Sequence, residues 1–169
     1  TARFTKILVE LGGRRTENAN LFPKANDSDQ QYRATLSWCE KCENGVKDVD
    51  SYLSIPEVSI PLSYKLKNKE YEGAFLDVDD TDWLGPETTT IRKLRNGRYV
   101  FYVNNFSNTD KPTALGNSNV KVQLYRGNEQ LKTYRIPWGS GITYEVFRIV
   151  DGEVEDVEQY NNSLTVFKK

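Results

Sequence analysis

The chain has 169 residues, with 23 Lys+Arg against 24 Asp+Glu, a net charge of -1 and no histidine. Balanced charge gives no basic field for nucleic acid or anionic lipid, and no apolar run approaches the ~20 residues of a membrane span. A chain of this length folds most simply as one domain burying roughly 70% of its unfolded surface, so its core needs no disulfide.

Residues 3–11 read as a strand, with Ile7, Val9 and Leu11 on one face. About twenty polar residues then precede Tyr32, a longer structureless stretch than a compact domain usually contains. Residues 1–31 are therefore expected to form an N-terminal strand arm and polar tether, and residues 32–169 the folded domain. Such an arm can add a strand to the sheet of another subunit, a head-to-tail contact that propagates as a filament.

From Tyr32 onwards the pattern is one of short runs rich in Tyr, Val, Ile, Thr and Phe between polar turns. Strands are predicted over 32–38, 49–55, 60–66, 74–78, 88–91, 99–103, 120–125, 130–136, 142–149 and 164–167. Within 99–103 the odd positions face a core and Tyr102 reaches a rim. Over 120–125 the alternation of Val120, Val122 and Leu124 is cleaner. Asn96-Gly97 and Gly127-Asn128 sit where hairpin turns would join strands. No segment carries an amphipathic helix of ten residues or more. The expected fold is all-β: a two-sheet antiparallel β-sandwich, immunoglobulin-like or jelly-roll-like, with an extended N-terminal strand arm.

The only cysteines are Cys39 and Cys42. With no histidine they cannot complete a zinc site, and no βαβ context supports a redox motif. A short-loop disulfide stiffening the turn after Trp38 is the simpler reading. Three N-glycosylation acceptor triplets begin at Asn26, Asn105 and Asn161. The chain contains no methionine, even at position 1. That is expected of a processed start, by removal of a secretory signal or as a fragment. Together these features lean towards a secreted or cell-surface protein.

Without histidine, carboxylates must carry nearly any site chemistry. Asp48 and Asp50 can aim together from one strand face, as can Asp77 and Asp79. Asp80 turns the corner, Asp82 can reach back, and Gly85-Pro86 can return Glu87 to the cluster. Like charges so close repel unless a cation or hydrogen-bond donors offset them, and Ca²⁺ accepts six to eight such oxygens. The candidate metal ligands are Asp48, Asp50, Asp77, Asp79, Asp80 and Glu87. The alternative is that these acids are solvated turn residues, a role for which Asp is favoured. Paired-carboxylate hydrolysis ranks last, and neither a Ser/His triad nor a phosphate-cradling Gly-rich loop occurs, so no enzyme is expected. Trp83 beside the acidic loop and Trp138 in Pro137-Trp138-Gly139-Ser140-Gly141 are candidates for stacking on a sugar ring, while Trp38 is assigned to the core.

Four segments carry a family resemblance. They are Arg33-Ala34-Thr35-Leu36-Ser37-Trp38, Asp48-Val49-Asp50-Ser51-Tyr52-Leu53, Phe75-Leu76-Asp77-Val78-Asp79-Asp80-Thr81-Asp82 and Gly85-Pro86-Glu87-Thr88. With the strand that begins Gly97-Arg98-Tyr99, this pattern resembles the YfaP/DUF2135-type family over about residues 32–126. The resemblance implies an extracellular or envelope β-sandwich whose acidic positions are metal ligands. The function expected is an extracellular structural or adhesive protein, Ca²⁺-stabilised and self-assembling into filaments through residues 3–11. A carbohydrate-binding module acting on glycans through Trp83 or Trp138 is the alternative.

Overall fold

The structure, a computed structural model, describes residues 31–39, 42–77, 79–81 and 85–163. Nine strands follow in order: β1 (Tyr32–Ser37), β2 (Val49–Ser54), β3 (Ala74–Leu76), β4 (Glu87–Ile91), β5 (Arg98–Asn105), β6 (Lys121–Arg126), β7 (Glu129–Arg135), β8 (Thr143–Val150) and β9 (Glu153–Asn161). One sheet has the order β3-β4-β1-β6-β7 and the other β2-β5-β8-β9. Every pairing is antiparallel. The expected all-β, two-sheet antiparallel sandwich is what forms. The N-terminal arm, including residues 3–11, and the strand expected over 164–167 lie outside the described residues.

Period-two alternation builds the core. Tyr32, Ala34 and Leu36 of β1 and Val122 and Leu124 of β6 meet Leu53 of β2 and Tyr99, Phe101 and Val103 of β5. Phe147 of β8 stacks on Phe101 with ring centroids 5.1 Å apart, and Tyr134 of β7 stacks on Phe147 at 5.6 Å. Trp38 is buried as expected, its Nε1 donating to Lys47 O at 3.1 Å. Tyr102 does not reach a rim. It is buried on the outer face of its sheet, stacked on Tyr52 at 5.2 Å.

Two strand expectations change. Residues 60–66 form no strand: Pro61 lacks the N–H a ladder needs, Ile60 is 61% exposed, and residues Tyr64–Leu66 close a 3-10 turn. Of this segment only Leu62 makes a bridge, to Leu53. Conversely, the acidic run Glu153–Asn161 is a nine-residue edge strand. Its pairing with β8 shifts register between Glu145 and Phe147, which spoils the regular alternation that marks a strand in sequence.

The two expected turns diverge as well. Gly127-Asn128 closes the β6–β7 hairpin. Asn96-Gly97 joins strands of different sheets and docks on the β8–β9 turn instead. Gly97 N donates to Asp151 Oδ1 at 2.8 Å, and Asp151 N donates to Gly97 O at 3.1 Å.

Candidate cation site

The acidic residues meet where the free edge of β2 faces the β3–β4 connection of the other sheet. Ser51 and Leu53 turn inward from β2, and Leu53 pairs with Leu62 on the side away from β5. On the facing sheet, Asp77 N donates to Thr88 O at 3.0 Å as the chain leaves β3. It returns through Gly85, whose φ is +72°, and a Cβ there would lie 2.9 Å from Leu36 O and 3.0 Å from Trp38 Cζ3. Only glycine suits both that conformation and that space. Glu87 thereby enters β4 opposite Leu36, with its side chain inside the sandwich.

Glu87 is held by one residue of the other sheet. Its Oε2 accepts hydrogen bonds from Ser51 N at 2.9 Å and Ser51 Oγ at 2.8 Å. Ser51 Oγ also lies 3.3 Å from Thr89 Oγ1. Asp79 Oδ2 accepts from Lys67 Nζ at 2.7 Å. One carboxylate oxygen from each of Asp50, Asp79 and Glu87 lies within 4.8 Å of the others. Asp50 and Glu87 are 2% and 1% exposed, yet Asp50 Oδ2 and Glu87 Oε1 have no hydrogen-bond partner. Asn104, the cross-strand neighbour of Asp50, is 3% exposed and carries another such oxygen, Oδ1.

Burial and crowding both disfavour charge here. Asp50 is pushed up to about 7, first by desolvation and then by the charges of Asp48 and Asp79. Glu87 is pushed up to about 9 by desolvation, against the opposing pull of the Ser51 bonds and with added repulsion from Asp50 and Asp79. A buried carboxylate with a bare oxygen is costly whether or not it is ionised, because a protonated acid also leaves hydrogen-bonding capacity unmet.

Of the six expected ligands, Asp50, Asp79 and Glu87 converge. Asp48 is buried just before β2 and contributes repulsion, with its N–H donating to Ser107 Oγ at 3.1 Å. Asp77 and Asp80 are half-buried and outside the converging group. Asp82 and Trp83 lie outside the described residues. Trp138 is 77% exposed and belongs to the β7–β8 connection, not to the elements that build the acidic group.

Cys39 and Cys42 are disulfide-bonded with Cα atoms 5.8 Å apart. Cys39 N donates to Ser118 O at 2.9 Å, which fixes this turn to the β5–β6 connection. Asn105 is unsuited to glycosylation in the folded chain. It is fully buried, its Nδ2 donates to Asn108 O at 2.6 Å, and its Oδ1 accepts from Asn108 N at 2.9 Å. Asn161 is half-buried at the end of β9, and Asn26 lies outside the described residues.

Sequence reasoning missed Lys67 and Ser51. Lys67 reaches Asp79 across 12 positions of chain. Ser51 sits within a quoted acidic motif, but strand alternation turns it to the face opposite Asp50.

No family model and no curated protein matches the chain. Solved structures share its fold. One is a protein of unknown function, 13% identical with a TM-score of 0.60, the match covering 82% of this chain and 95% of that one. Another is a homologue of telluride resistance protein (TerD) from Streptomyces coelicolor A3(2), 13% identical with a TM-score of 0.58, covering 82% of this chain and 95% of that one. The likeness shows a shared β-sandwich fold. This likeness corrects the expected function: the sandwich resembles a TerD homologue, and nothing in the match supports an extracellular adhesive or filament-forming protein, or its carbohydrate-binding alternative.

Proposed function

We propose that this protein is a Ca²⁺-binding β-sandwich without catalytic activity, in which the ion ties the β3–β4 connection to the edge of β2. The observation that carries this reading is the convergence of the Asp50, Asp79 and Glu87 oxygens within 4.8 Å. Two of these residues are almost fully buried and hold oxygens that no hydrogen-bond donor meets. The donor set is all oxygen, which suits a hard cation. Ca²⁺ binds oxygens at about 2.3–2.6 Å, so one ion spans ligands up to roughly 5 Å apart, whereas Mg²⁺ at about 2.0–2.1 Å needs a tighter group. Asn104 Oδ1 supplies a neutral oxygen beside Asp50. The resemblance of residues 48–53, 75–82 and 85–88 to a family with acidic metal positions points the same way.

The ion's role follows from where the ligands come from. Asp50 belongs to one sheet and Glu87 to the other, so binding links the two layers beside the Ser51–Glu87 bonds. The core void lined by Tyr32, Leu53, Phe101, Leu124 and Phe147 is apolar. Calorimetric titration with Ca²⁺ tests the reading. Heat is expected from the parent chain and none from Asp50→Asn or Glu87→Gln; a parent chain that gives no heat sinks it.

A further inference from the structure

We propose that Lys67 is a tethered competitor for this site: its ammonium partly neutralises the carboxylates when no ion is bound, and opposes the ion that replaces it. The inference rests on the Ca²⁺ reading above and adds a residue that sets the affinity.

The geometry is that of a built-in counter-ion. Lys67 Nζ lies 2.7 Å from Asp79 Oδ2, with the Asp79 side chain 6% exposed and that of Lys67 44% exposed. The backbone that carries Lys67 is pinned on both sides. Lys67 N donates to Tyr64 O at 3.3 Å, and Asn68 N donates to Leu76 O at 2.9 Å, the residue that ends β3. The ammonium therefore starts from a fixed point at the mouth of the group, while its long, half-solvated stem leaves it free to swing outward.

Charge accounting shows what Lys67 does not do. It places one positive charge against Asp50, Asp79 and Glu87, and its hydrogen bond reaches Asp79 alone. Asp50 Oδ2 and Glu87 Oε1, deeper in the fold, remain without a partner. Lys67 thus covers the outer carboxylate and leaves the inner two for a further cation. Whether it shares Asp79 with that ion or is displaced into solvent, its charge works against binding. Coulomb repulsion between an ammonium and a divalent ion about 5 Å apart, even at the dielectric of water, costs about fifteenfold in affinity. The penalty scales with the charge of the ion, so a trivalent lanthanide is penalised one and a half times as much on a logarithmic scale, or about sixtyfold.

Removing a side chain that contacts a ligand normally weakens binding; here it should strengthen it. The experiment is calorimetric titration of the full chain and of Lys67→Gln and Lys67→Arg with Ca²⁺ and separately with Tb³⁺ in low-salt buffer. Lys67→Gln is expected to bind Ca²⁺ about fifteenfold and Tb³⁺ about sixtyfold more tightly than the parent, with Lys67→Arg within about twofold of the parent. A parent that binds Ca²⁺ while Lys67→Gln binds equally or more weakly overturns the competitor role alone. Absence of Ca²⁺ heat in all three chains removes the site and the competitor together.

Discussion

Two edges of this sandwich join its sheets through a carboxylate, and they do so in opposite ways. At one, Asp156 of β9 meets β7 of the facing sheet: Tyr134 Oη donates to its Oδ1 at 2.8 Å and Lys132 Nζ donates to its Oδ2. Both oxygens have donors, and these bonds hold the acid below its ordinary range, Lys132 contributing most and Tyr134 next. At the other, Asp50 of β2 and Glu87 of β4 each keep a buried oxygen with no partner, and both acids are pushed upward. One edge has its carboxylate oxygens met as the chain folds, and the other keeps two buried oxygens that no donor among the described residues meets. The difference lies in the donors. Ser51 serves only one oxygen of Glu87, and Lys67 serves only Asp79.

The sharpest way to break this contrast is to remove the ionisable group while keeping an acceptor. Glu87→Gln can still accept from Ser51 and has no proton to hold, so in chelator it should raise the unfolding free energy by about 1–3 kcal/mol, the scale of a buried polar group left uncompensated. The same variant should lose its response to Ca²⁺. Urea unfolding with and without chelator reads both effects, and a destabilised Glu87→Gln in chelator would contradict the assignment of strain to this edge.

Dependence on pH separates the edges by sign. Raised folded-state values for Asp50, about 7, and Glu87, about 9, mean that the folded chain holds protons the unfolded chain has already released. In chelator, stability should therefore fall as pH rises from the ordinary carboxylate range through about 7 and towards about 9. Asp156, with its value lowered, works the other way: its contribution is present above its unfolded value and is lost as pH falls through the folded one. Melting temperatures across this range in chelator, with the Glu87→Gln chain alongside, should show a flatter neutral-to-alkaline limb in the variant. Identical limbs would contradict the placement of the titrating acids.

The smallest effect belongs to the satisfied edge. Lys132 and Asp156 have side chains 41% and 47% exposed, so their ion pair is screened by water. Asp156→Ala should cost about 0.5–1 kcal/mol, and equally with Ca²⁺ or chelator present. A calcium-dependent cost at Asp156 would mean that the two edges are coupled.

Much of the sandwich is legible in the residues, because buried strands with period-two alternation announce themselves. The run from Tyr99 to Val103 and the run from Val120 to Leu124 both occupy the expected strands. β9 is hidden because an edge strand tolerates the exposed acids Glu153, Glu155, Asp156 and Glu158, and because its register shift breaks the alternation. The acidic site is legible in composition but only partly in geometry. Asp77 and Asp79 share a face only if the strand continues past Leu76, and β3 ends there. Asp79 instead reaches the site from the connecting segment. Glu87 was reachable through the Gly85-Pro86 turn, a local signal. The Lys67–Asp79 and Ser51–Glu87 contacts arise from packing between distant segments and leave no spacing to read.

The central claim is that an ion completes the β2–β4 edge, and thermal or urea unfolding of the parent chain in Ca²⁺ against chelator measures it most directly. A ligand that binds the folded state alone adds about 2.7 kcal/mol of stability at a hundred times its dissociation constant. The account predicts a gain of that order in Ca²⁺, abolished in Asp50→Asn and retained in Asp156→Ala. Equal stability of the parent in Ca²⁺ and in chelator would contradict it.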